Sequence, residues 1–224
     1  MTKYFHRDIE RLQNQLLSLS GNVESMIDEA SRSLCARDAD LLDELIDADR
    51  EIDACEVLIE EECLKMLALH QPVAIDLRRI ATVLKINNEL ERIADLAVNI
   101  AQRAHAIRAW PDFPTPPDLQ RMVELATAMV RDALNAFVDY DSEAASEICR
   151  RDEEVDDANR EIIAELIDLA EQQPEMIAPM MHCFSACRQV ERIADHATNI
   201  AEDVIYLAEG DIVRHHHSAE GEFA

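Results

Sequence analysis

A chain of 224 residues that is 48% hydrophobic, with only 3 glycines and 4% aromatics, can bury a sizeable core but is poorly supplied for β structure. Its 47 acidic residues against 21 Lys plus Arg leave a formal net charge of −26, which excludes non-specific attachment to nucleic acid or an anionic bilayer and favours cations and basic protein surfaces as partners. The 6 cysteines form no CxxC pair, the first residues lack an apolar signal core, and no apolar run is long enough to span a bilayer, so the composition predicts a soluble, cytoplasmic, all-α protein with reduced thiols.

Taken in order, Phe5, Ile9, Leu12, Leu16, Leu19, Val23, Met26 and Ala30 alternate steps of four and three, which predicts a long first helix ending near Ala36. Asp38 or Asp40 is placed to cap a second helix, whose stripe of Leu45, Ala48, Ile52, Cys55 and Ile59 carries it to about Leu69. Pro72 then opens a third helix, running to about Arg108, with Ile86, Leu90, Ile93, Ala97, Ile100, Ala104 and Ile107 as its buried stripe. Residues 110–117 read WPDFPTPP and hold four of the 7 prolines. No helix crosses that stretch, which is a stiff linker between residues 1–109 and 118–210. Beyond it the pattern predicts helices over Leu119–Val138, Ser142–Gln172 and Pro174–Glu209, with Gly210 as the stop. Residues 211–224 form a polar tail in which His215, His216 and His217 could chelate a metal, a solvated terminus being the simpler reading.

The chain is a duplication. ERIADLAVNI at 91–100 returns as ERIADHATNI at 191–200, a period of 100 residues, about the size of one small helical domain. The middle helices repeat as well, Asp49-Arg-Glu-Ile52-Asp53 against Asp152-Glu-Glu-Val155-Asp156, with an offset of 103. The three-residue difference therefore lies between the middle and last helices, where turns absorb it. The predicted fold is two tandem three-helix bundles.

Residues four apart on a helix share a face, so Glu91 stands beside Asp95 and Glu191 beside Asp195. Like charges so placed cost roughly 0.2–0.5 kcal/mol per pair unless a cation lies between them. The same face begins apolar, with Leu77, Ile80 and Leu84 in the first copy and Ile177, Met180 and Phe184 in the second, and turns acidic halfway along. Antiparallel packing would bring Asp49 and Asp53 against Glu91 and Asp95, and Asp152 and Asp156 against Glu191 and Asp195. Each set is four carboxylates from two helices, a ligand set for a hard or borderline cation and large enough for more than one ion. Solvated acids paired with Arg92 and Arg192 are the plainer alternative. Asn99 and Asn199, one turn further on, are placed to orient or complete each set, with Asp203 beyond Asn199 a weaker candidate. Cys183 and Cys187, four apart, could hold a soft metal, but with no second thiol pair nearby small core residues are the simpler reading.

Catalysis has little to stand on. The Glu-x-x-His pair of di-iron bundles, the His-Glu-x-x-His motif and a glycine-rich phosphate loop are all absent. A metal-dependent hydrolase is the one enzymatic reading the acids permit.

QPVAIDLRRI at 71–80 followed by NELERIADLAVNIAQ at 88–102 resembles the first-repeat signature of the PhoU proteins, and VERIADHATNIAEDVIYLAEGDIVRH at 190–215 resembles that family's closing segment. Both copies carry alanine, Ala94 and Ala194, where the family motif often has glycine. The resemblance implies two three-helix bundles related by pseudo-twofold symmetry. It also implies multinuclear iron or zinc sites on Asp49, Asp53, Glu91, Asp95, Asp152, Asp156, Glu191 and Asp195, with manganese or magnesium as further divalent cations suited to such oxygen ligands. The role it implies is that of a homodimeric, non-enzymatic adaptor restraining the phosphate ABC transporter, through its ATPase subunit, and the phosphate-sensing histidine kinase. Such a protein would meet the membrane only through those partners. An adaptor for another transporter is the rival of the same kind.

Overall fold

The computed structural model describes residues 3–36 and 40–210, and the predicted histidine tail and Asp38 lie outside them. Six helices account for almost all of it: α1 (Lys3–Ser31), α2 (Leu42–His70), α3 (Ile75–Ile107), α4 (Asp118–Asp139), α5 (Ser142–Gln172) and α6 (Ile177–Glu209). A π-helical turn, Arg32–Ala36, extends α1 to the predicted end at Ala36.

Each half is a bundle in which all three helices pack on one another, α1 with α2 and α3, and α4 with α5 and α6. The halves are joined mainly along α3 and α6, the two helices that carry the repeated decapeptide, and secondarily where α1 meets α4. The stripe read from the sequence explains this arrangement. Every member of the α1 and α3 stripes is buried, as are Ile193, Ala197 and Ile200 of α6. With Ala94, Ala97 and Ala101 on α3 and Ala194, Ala197 and Ala201 on α6 also buried, the small side chains allow the two central helices to approach closely. One continuous core results, shared by both halves.

The turns depart from the sequence expectation in three places. Pro72 lies in the turn after α2 and α3 begins at Ile75, because Gln71 (φ 44°) and Ala74 (φ 52°) take left-handed backbone that no helix can include. In the second copy Pro174 starts a 3-10 turn, Pro174–Met176, that leads straight into α6. The two connections, 71–74 and 173–176, are equally long, so the helices and not the turns absorb the three-residue offset: α2 runs one residue further past Asp53 than α5 does past Asp156, and α3 starts two residues further ahead of Glu91 than α6 does ahead of Glu191. Ahead of α2 the N-cap position is Leu41, which offers no side-chain bond, while Asp40 is held by His105 Nδ1 at 2.7 Å. In the second copy Asp141 does cap α5, its carboxylate accepting from the backbone N–H groups of Glu143 (3.0 Å) and Ala144 (2.9 Å). The linker is folded onto the body: Phe113 and Pro116 are buried, and the Trp110 ring lies 6.2 Å from that of His182. Gly210 ends α6 at φ 88°, as expected, and a β-carbon there would strike the Arg78 guanidinium.

Candidate metal centres

The predicted acids are neighbours in both halves. Asp49 (α2) feels Asp95 and Asp53, and burial together with those two charges raises its carboxyl to about 6. Glu91 (α3) is raised by partial burial and by Asp95, Asp53 and Glu56, with the Arg92 charge opposing. In the second half burial, Asp195, Asp156 and Glu191 raise Asp152 (α5) to about 6. Asp195 (α6) is raised by burial and Asp156, and Glu191 by burial against the opposing charge of Arg188. These shifts have one physical cause, carboxylates crowded at a partly desolvated seam with too little positive charge between them.

The arginines expected to neutralise the motifs do little of that work. Arg92 and Arg192 are exposed, and their charges act at a distance on Glu91 and Asp195. Asn99 donates to the backbone carbonyl of Asp95 at 2.9 Å, which ties it to its own helix. Asn199 reaches across the α3–α6 seam to Glu89 Oε2 at 3.2 Å, alongside His196 Nδ1 at 2.5 Å. Asp203 is buried and paired with Lys85 Nζ at 2.8 Å, so it belongs to the join between the halves and not to an acidic set.

Two participants went unread in the sequence. Glu56 lies three residues beyond Asp53, so it was available to the same helical arithmetic. Half-buried, it accepts from Asn87 Nδ2 at 3.0 Å and adds a fifth carboxylate to the first set. Its counterpart at an offset of 103 is Asn159, whose Nδ2 donates to Glu191 Oε2 at 3.1 Å. Arg188, which ion-pairs with Glu191, has Asn88 as its counterpart.

A cation fits the chemistry of these donors. All are oxygens, they come from rigid helices, and each set holds net negative charge that burial makes costly. As placed they form open clusters within electrostatic reach, and no three His, Cys, Asp or Glu side chains among the described residues are already gathered about a single point.

A duplicated six-helix protein whose two halves each turn a seam of carboxylates outward defines a class of helical scaffold. The PhoU domain matches residues 16–104 and again 119–204, one match per half. The chain is 37% identical to the "Phosphate-specific transport system accessory protein PhoU homolog" of Aquifex aeolicus, covering 96% of this chain and 97% of that protein. It is 34% identical to the homologue of the same name in Pseudomonas putida, covering 96% and 84%. The crystal structure of PhoU from Pseudomonas aeruginosa superposes with a TM-score of 0.88 at 33% identity, covering 92% of this chain and 100% of that one. The phosphate transport system regulatory protein PhoU from Streptococcus pneumoniae gives 0.87 at 27% identity, covering 93% and 99%. The chain belongs to the PhoU family.

Proposed function

We propose that this protein regulates phosphate uptake and phosphate-starvation signalling as a non-enzymatic cytoplasmic adaptor. The observation that carries the reading is the match of both halves to the PhoU domain, with relatives named as accessory proteins of phosphate-specific transport aligned along nearly the whole chain. No helix among the described residues is long and apolar enough to cross a membrane, which suits a protein that acts through membrane-bound partners. Those partners are the ATPase subunit of the phosphate ABC transporter and the phosphate-sensing histidine kinase, both held in the restrained state by a homodimer of this chain.

In this reading the residues that hold metal are Asp49, Asp53, Glu91 and Asp95 in one half and Asp152, Asp156, Glu191 and Asp195 in the other. A bound iron or zinc ion would supply the positive charge these carboxylates lack. The chain's own contribution is to hold two acidic faces on rigid helices. Cation binding then fixes α2 against α3 and α5 against α6, so that the docking faces of each bundle keep one shape.

Deleting the gene tests the role. With phosphate plentiful, the deletion strain is expected to make alkaline phosphatase constitutively and to take up phosphate without restraint. Unchanged enzyme synthesis and uptake would refute it. A phosphatase assay of the purified protein with added iron, zinc or manganese is expected to show no turnover. Turnover that disappears in Asp95→Ala would replace the adaptor with a hydrolase.

A further inference from the structure

Seven of the twelve large hydrophobic side chains exposed among the described residues fall between residues 57 and 77. Four of them, Val57, Leu58, Leu64 and Leu69, stand on α2, whose opposite side buries Leu45, Ile52, Ile59, Cys63 and Met66. By helical spacing Ala54, Val57, Leu58, Leu64, Ala68 and Leu69 share the side turned away from that core. Leu58 is 57% exposed and Leu69 71%, so nothing among the described residues covers them.

The fold does not demand an apolar face here, because the other copy manages without one. At the offset of 103, Ala54, Val57, Leu58, Ala68 and Leu69 are matched on α5 by Asp157, Arg160, Glu161, Glu171 and Gln172, and Arg160 pairs with Asp157 at 2.8 Å. Only Leu64 keeps an apolar counterpart, Ile167. The same helix of the same bundle thus faces water with charges in one half and with a strip of aliphatic side chains in the other. A contiguous apolar strip kept at the surface marks a binding face.

We propose that this face of α2 docks a basic amphipathic helix of a partner protein. Residues 54–69 make about 24 Å of helix, room for anchors spaced i, i+3, i+4 and i+7 on an incoming helix. Beside Leu58 a cavity of about 140 Å³ opens between α1 and α2, with Leu19, Cys55 and Ile59 in its wall. It is large enough to take one aromatic or leucine side chain of the partner. Charge decides what else that helix carries. Glu51, Glu60 and Glu61 are exposed on α2, while Lys65 and Arg11 are both bonded to Glu62, at 3.1 and 2.6 Å. Lysines or arginines beside the apolar anchors would meet the three glutamates. A second copy of the chain would bring the same glutamates against them, and a net charge of −26 is repelled by an anionic bilayer. This inference rests neither on the cation sites nor on the phosphate role.

The test uses three fluorescein-labelled helical peptides of equal length. One has leucines at the docking spacing and lysines elsewhere, one has glutamates in place of the lysines, and one has serines in place of the leucines. Anisotropy with the full-length protein at physiological ionic strength is expected to show binding of the leucine–lysine peptide alone. Leu58→Gln with Leu64→Gln is expected to weaken that binding roughly tenfold or more. Glu60→Gln with Glu61→Gln should weaken it less, and Ile167→Gln in α5 should leave it unchanged. All five positions are exposed, so the helical circular dichroism of the parent should be kept. If the leucine pair does not fold, Leu58→Gln alone decides. Equal binding by either control peptide, or an affinity indifferent to Leu58 and Leu64, overturns the proposal. So does sedimentation in which the leucine pair turns a dimer into monomers, which would give the face to a second copy. Binding of phosphatidylcholine vesicles that the leucine pair abolishes overturns it likewise, in favour of a bilayer.

Discussion

The two acidic clusters descend from one unit and are no longer alike. The first gathers Asp49, Asp53, Glu56, Glu91 and Asp95, with Asn88 exposed nearby. In the second, the counterpart of Glu56 is Asn159 and the counterpart of Asn88 is Arg188, and both of those side chains bond Glu191. One carboxylate has been lost there and one guanidinium gained, while His196 and Arg192 add their charge beside Asp195. The second cluster thus satisfies part of its own charge, and the first leaves its charge to be met from outside. On the proposed reading, the first cluster is the stronger cation site and the second the weaker.

The largest effect that would break this comparison is loss of the stronger site. Asp49→Asn combined with Asp95→Ala removes two of five carboxylates and is expected to weaken cation binding in the first half by more than tenfold, over 1.4 kcal/mol. The second half should keep its affinity, as isothermal titration with manganese would show. Equal losses in both halves would mean that the clusters act as one.

A swap should sharpen the comparison with a smaller effect of opposite sign. Arg188→Asn with Asn159→Glu rebuilds the first cluster's composition in the second, and its cation affinity is expected to rise about tenfold, toward that of its twin. If affinity stays put, the asymmetry in charge has no functional weight.

The sequence carried the seam but not the asymmetry. The positions four apart in ERIAD and the matching acids of the middle helix were enough to place eight carboxylates in two groups, and the apolar stripes of α1 and α3 were enough to place their helices. Glu56 is legible by helical spacing, three residues past Asp53, but its counterpart Asn159 is not acidic, so the duplication does not mark it. Arg188 was invisible as a partner because a pairing three residues before Glu191 depends on which rotamer the long side chain takes. Asp203 misled for the opposite reason. Its spacing from Asn199 suggested the acidic face, whereas packing of α3 on α6 supplies Lys85 from the other half. Pro72 reads as the start of α3 because proline's tolerance at a first turn does not reveal the left-handed residues, Gln71 and Ala74, that flank it.

pH offers a gentler probe of both clusters together. The carboxyls of Asp49 and Asp152 stand at about 6 in the folded chain, above the ordinary value of 3.8. A group whose pKa rises on folding stabilises the fold while protonated, so this contribution is complete below about pH 4 and is lost as pH climbs through about 6. Thermal melts in the presence of a chelator are therefore expected to show stability falling between those limits, with Asp49→Asn plus Asp152→Asn flattening the fall. Divalent cations should restore stability chiefly above pH 6, where the carboxylates are ionised. A melting profile that the double variant leaves unchanged would show that these two acids do not govern it.

The smallest effect concerns the link between the clusters. Glu89 joins α3 to His196 and Asn199 of α6, and Glu89→Gln keeps its size while removing its charge. A modest destabilisation of about 1 kcal/mol is expected, measured by urea denaturation, with cation binding in the first cluster unaffected.

Elemental analysis of protein purified without chelators, repeated on Asp95→Ala and on Asp195→Ala, tests most directly whether the paired seams hold cations. The expected result is stoichiometric iron or zinc in the parent, with Asp95→Ala losing the metal of the first cluster and Asp195→Ala that of the second. Parent protein free of bound metal, or metal content that neither substitution lowers, would contradict the account.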